Sequence, residues 1–120
     1  MRPILERHPH LRIALQHVGF EFVDETLALL QDFPNVYLDM SVLNSVGPAA
    51  LHDASLRRIV AAGFSDRVML GSDDQDLTVV VARIEGAGFL SDEQKRGIYY
   101  DNAARFLRFD PATIARDYRR

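Results

Sequence analysis

A chain of 120 residues with 48% hydrophobic content is one domain's worth and can bury a globular core. Its formal charge of -3, from 14 basic and 17 acidic residues, argues against a nucleic-acid partner, which calls for a basic face. The absence of cysteine removes disulfides and thiolate ligands. No apolar run approaches the ~18 residues of a membrane span, and the amino terminus has no signal-peptide core, so a cytoplasmic protein with no membrane partner is expected.

Met1 to Arg7 reads as a short helical or irregular lead-in. Leu11 to Gln16 fits a strand, and from Glu21 to Phe33 the residues Val23, Leu27, Leu30 and Phe33 recur at helical spacing. Pro34 stops that helix, because proline cannot donate to the ladder. Val36 to Met40 is a second strand, followed by a longer loop over 41–52 containing Gly47-Pro48. Asp53 or Ser55 can cap the next helix, whose buried stripe is Leu56, Ile59 and Val60 and which Gly63 closes. Val68 to Leu70 is the third strand. Asp76 to Glu85 carries both strand and helix signals, and the need to cover the preceding strand favours a helix with inward residues Leu77, Val80, Val81 and Ile84. Ser91 with Gln94 is a capping box opening a last long helix with inward residues Ile98, Tyr99, Asn102, Ala103, Phe106 and Leu107. Asp110-Pro111 reads as the start of a short tail helix, and the basic ending 116–120 as a solvated terminus. The β-α-β-α-β-α order predicts an α/β fold with a parallel sheet and right-handed crossovers.

In parallel α/β proteins the chemistry sits at the carboxyl ends of the strands. The first strand runs into His17, the second ends on Asp39, and the third passes through Gly71-Ser72 to Asp73. The three are therefore expected at one edge of one sheet. A neutral imidazole there suits metal binding or proton transfer near neutral pH, and a carboxylate can bind a metal or accept a proton. The plainer roles are helix caps and bonds to loop carbonyls. Asp74 and Asp76 fit helix-capping charges better than a second metal site. His8 and His10 precede a strand and belong at the opposite edge, so they are rejected as ligands. His52 reads as a surface histidine in a loop.

These segments carry a family resemblance. His8-Pro9-His10-Leu11-Arg12-Ile13 with Gln16-His17-Val18-Gly19, then Pro34 to Asp39, then Asp66 to Asp73, resemble the second half of an amidohydrolase-related metal-dependent hydrolase. Leu90 to Arg96 and Asn102 to Leu107 are similar to the closing helix of that family. The resemblance implies that residues 1–120 form the carboxyl-terminal part of a (β/α)8 barrel, about three βα units plus terminal helices. It implies hydrolysis, or sometimes decarboxylation, of a small organic substrate with zinc or another divalent metal. His17 would face the metal, Asp73 would bind it or activate the attacking water, and Asp39 would be a scaffold residue. Relatives often carry an aromatic or proline-containing loop after that aspartate, where this chain has Asp74-Gln75-Asp76-Leu77.

A whole barrel typically takes roughly 250 residues, and a catalytic zinc usually takes three protein ligands. His17 and Asp73 make two, so the isolated chain is expected to lack a complete site. The alternative from another class is a non-catalytic α/β module that pairs through an exposed sheet edge with a second copy or an amino-terminal half-barrel.

Overall fold

The computed structural model describes residues 1–41, 49–110, 112 and 115–116, and for 49–52 the backbone alone. Strands β1 (Ile13–Leu15), β2 (Val36–Asp39) and β3 (Val68–Met69) form a parallel sheet in the order β1-β2-β3. Helix α1 (Arg2–Arg7) precedes β1, while α2 (Val23–Asp32) and α3 (Ala49–Ala61) connect the strands. Helices α4 (Leu77–Gly86), α5 (Asp92–Arg96) and α6 (Asn102–Leu107) follow β3. The predicted α/β alternation with a parallel sheet is what forms.

Side chains alternate across the strands. Val36, Leu38 and Val68 are fully buried and share one core with Leu30 of α2, Ile59 of α3 and Ile84 of α4. Tyr37 points to the opposite face, where its ring meets Phe106 at 5.1 Å. The guanidinium of Arg12 lies 5.6 Å from the same Phe106 ring, and its Nη1 is buried without a hydrogen-bond partner among the described residues. Arg67 ties the end of α2 to the sheet by donating to the carbonyls of Leu30 (2.7 Å) and Phe33 (3.1 Å), which the helix itself leaves free.

The last helix covers the outer edge of β3. The Met69 carbonyl accepts from the amide of Met40, just after β2, so Val68 and Leu70 direct their polar groups away from β2. The amide of Leu70 donates to the Ile98 carbonyl at 2.8 Å, and Asn102 Nδ2 donates to the Val68 carbonyl at 2.7 Å. Between α5 and α6 the helix widens into a π turn over Gly97–Asp101. The expected long helix is thus continuous but locally unwound. The outer edge of β3 is thus partly covered by the last helix, through one amide and one carbonyl.

Several expectations are corrected. Helix α3 begins at Ala49, a turn earlier than expected, because Ala49-Ala50-Leu51 is a strongly helix-forming run. Asp53 and Ser55 therefore lie inside the helix and do not cap it, and His52 stands on a helix instead of in a loop. Leu77 and Leu107 are half exposed, at 51% each, since they sit at the ends of their helices beyond the core. The strands are trimmed at their ends, and Leu70 leaves β3 because its amide serves the last helix. The loop around Gly47-Pro48 lies outside the described residues, and of the tail from Pro111 only Ala112, Ala115 and Arg116 are described, all three helical as expected.

Asp76 caps α4 by accepting from Thr78 N (2.8 Å), and Ser91 and Gln94 form the predicted reciprocal box (3.2 and 2.9 Å). Tyr99 joins the last helix to α4 by donating to Glu85 Oε1 at 2.6 Å. Desolvation first, then the bond to and charge of Glu85, push the Tyr99 phenol up to about 12. A phenol whose pKa is raised on folding stabilises the fold fully below the ordinary value near 10. That contribution is lost as pH rises through about 12. Ultraviolet titration should find one tyrosine ionising near that value, and Glu85→Gln should lower its midpoint without restoring the ordinary one. A Tyr99 midpoint unchanged by Glu85→Gln would exclude the coupling.

Candidate functional site

The carboxyl ends of the three strands bring His17, Asp39 and Asp73 to one edge. Leu15 pairs with Leu38 and Asp39 with Met69, so the segments leave the sheet side by side. His8 and His10 lie at the other end, where Asn35, just before β2, donates to the Pro9 carbonyl at 2.8 Å. The His52 side chain lies outside the described residues.

His17 and Asp73 share an uncommon backbone. His17 (φ 59), Val18 (φ 52) and Asp73 (φ 52) are left-handed, where a residue with a Cβ is strained, most of all a β-branched valine. Such strain is of order 1–3 kcal/mol per residue and gathers at functional sites. Packing holds the first turn in place. Val18 is completely buried, and Gly19 (φ 67) lies so near Thr26 of α2 that a Cβ would fall 1.9 Å from its Oγ1. The turn after β1 is thereby clamped onto the following helix.

The His17 ring is held by Ser41, a residue that sequence reasoning missed. Nδ1 lies 3.1 Å from the Ser41 carbonyl and 3.2 Å from its Oγ. A carbonyl can only accept, so the contact to it is a hydrogen bond when Nδ1 carries the proton, and in that neutral tautomer Nε2 keeps a free lone pair. Ser41 is itself fixed, since its amide donates to Asp39 Oδ1 at 2.6 Å. The carboxylate of Asp39 in turn rests over Gly71, where a Cβ would come 2.2 Å from Oδ1. The signal for Ser41 was the spacing Asp39-Met40-Ser41, an aspartate able to accept from the amide two residues on. Asp73 is exposed beyond this cluster.

A divalent metal fits the donor types. An imidazole whose Nδ1–H bonds a carbonyl and whose Nε2 is bare is the usual form of a metal-binding histidine, and a carboxylate is a common companion on zinc. The number of donors falls short. Among the described residues no three His, Cys, Asp or Glu side chains group closely enough to hold a metal ion.

The structure is similar to 2,6-dihydroxybenzoate decarboxylase complexed with 2,6-dihydroxybenzoate, with a TM-score of 0.69 at 14% identity over 89% of this chain and 37% of that one. It is also similar to a protein from Pseudomonas putida described as a candidate 2-pyrone-4,6-dicarboxylic acid hydrolase, with a TM-score of 0.65 at 21% identity over 90% of this chain and 48% of that one. The chain thus spans less than half the length of either structure. No curated protein matches it at a significant level. The amidohydrolase family model matches residues 1–109. With nearly the whole chain matched, and its strands, edge residues and closing helix in place, the protein belongs to the amidohydrolase family.

Proposed function

We propose that this chain supplies the carboxyl-terminal βα units of a (β/α)8 amidohydrolase barrel and, with them, part of a divalent-metal site that acts on a small organic substrate. The observation that carries the reading is the shared edge: His17 and Asp73 both follow parallel strands, and both are held in left-handed backbone. When bound, a divalent cation supplies a Lewis acid and lowers the pKa of a water to about 7. His17 presents a bare Nε2, which suits it to ligation or proton acceptance and not to hydrogen-bond donation. Asp73 offers a carboxylate as a further ligand or as the acceptor of the water's proton. The remaining ligands come, in this reading, from an amino-terminal half-barrel that pairs with this chain in the cytoplasm. The bond cleaved follows from that half and from the loop after Asp73.

The test is metal binding in two settings. Calorimetry on the chain alone should show zinc held no more tightly than at a surface site, because two donors stand against the usual three. A chimera that places this chain after the amino-terminal half of a longer amidohydrolase should bind one ion tightly and lose it on His17→Ala or Asp73→Ala. A folded chimera that binds the ion equally well in both variants would remove these residues from the site.

A further inference from the structure

We infer that Asp39, Ser41 and Gly71 form a positioning unit that sets the tautomer and direction of His17. The inference rests on the reading of His17 as a site residue, and it assigns these three a role that acts through that ring. One link folds the end of β2, and the other two join different strand ends. Asp39, the last residue of β2, accepts from the Ser41 amide at 2.6 Å and so folds the backbone that follows the strand. That fold brings the Ser41 carbonyl to 3.1 Å and its hydroxyl oxygen to 3.2 Å from His17 Nδ1. Gly71, two residues beyond β3, leaves the space in which the Asp39 carboxylate lies, with both oxygens closer than 3 Å to where a Cβ would stand. Three strands therefore converge on one imidazole. Ser41 is 5% exposed, so water competes poorly for these bonds.

The chemistry is specific. A proton held at Nδ1 leaves Nε2 as the only free lone pair on the ring. An imidazole released from Ser41 samples both tautomers and turns, and offers a directed nitrogen only part of the time. Asp39 needs only an acceptor oxygen to do this, and its charge is not required. Gly71 needs only to lack a side chain.

The experiment is 15N–1H long-range correlation of the imidazole rings in the full, metal-free chain at about pH 8, above the ordinary histidine pKa of about 6.5. The exposed His8 and His10 serve as internal references. The native His17 should show its protonated-nitrogen signal at Nδ1 and its bare-nitrogen signal at Nε2, away from the averaged pattern of the references. Asp39→Asn keeps an acceptor oxygen and should preserve that pattern. Asp39→Ala, and Gly71→Ala by displacing the carboxylate, should each collapse it toward the references. A native His17 protonated at Nε2 would overturn the inference, as would a fold-intact Gly71→Ala or Asp39→Ala with the native pattern. If Asp39→Ala does not fold, the contrast between Asp39→Asn and Gly71→Ala decides, and the native spectrum decides by itself if neither alanine variant folds. The readout uses neither metal nor substrate, so a wrong metal assignment and a wrong positioning unit give different results.

Discussion

Asn102→Ala is expected to lower the melting temperature by about 10 °C. Asn102 is 1% exposed, and its Nδ2 donates to two carbonyls, those of Val68 at 2.7 Å and Ser65 at 2.9 Å. The first lies on the outer edge of β3, and no other described strand reaches it. Leaving one buried acceptor without a donor costs about 1–3 kcal/mol, with about 1 kcal/mol more for the second bond. Each kcal/mol moves the midpoint of a domain this size by roughly 4 °C. Asn102→Asp should be worse at neutral pH, because it aims carboxylate oxygens at two carbonyl oxygens. That variant should recover part of its stability in acid, since a protonated carboxyl regains one donor, and the recovery separates lost donation from lost volume. Thermal melts at equal protein concentration and two pH values check this. A melting point for Asn102→Ala within a degree of the native one would mean that the last helix does not depend on this amide.

The π turn of Gly97–Asp101 was not legible in the sequence. Ile98 and Asn102 are buried as their spacing predicts, and Leu107, the last residue of α6, is half exposed beyond the core. A π turn rotates every later side chain relative to a regular helix, and propensity carries no sign of it. The strand ends were legible because buried apolar runs ending on His17, Asp39 and Gly71-Ser72-Asp73 reflect the physics of a parallel sheet. The bond network behind them was less so. Ser41 reaches His17 across 24 positions of sequence, and only the local half of that link, the Asp39–Ser41 spacing, leaves a pattern in one chain. The start of α3 was misplaced for a simpler reason. Two plausible caps inside the helix outweighed an alanine-rich run that had no cap of its own.

Sedimentation is expected to show the chain self-associating, and pairing with an amino-terminal half-barrel should abolish that association. Phe22, Phe109 and Leu11 are among the exposed large apolar residues, at 62%, 56% and 42%. Covering about 400 Å2 of apolar surface is worth about 10 kcal/mol at ~25 cal/mol per Å2, comparable with the whole net stability of a domain. Arg12 supplies a second motive, because its buried Nη1 is a charged donor in need of an acceptor. A partner that brings a carbonyl or carboxylate to the Arg12 face would satisfy it. Arg12→Leu should therefore stabilise the chain alone yet weaken its pairing with the half-barrel, a reversal of sign that general loss of packing does not produce. A compact monomer at all concentrations, with a sharp cooperative melt, would show instead that three strands and their helices make a self-sufficient fold.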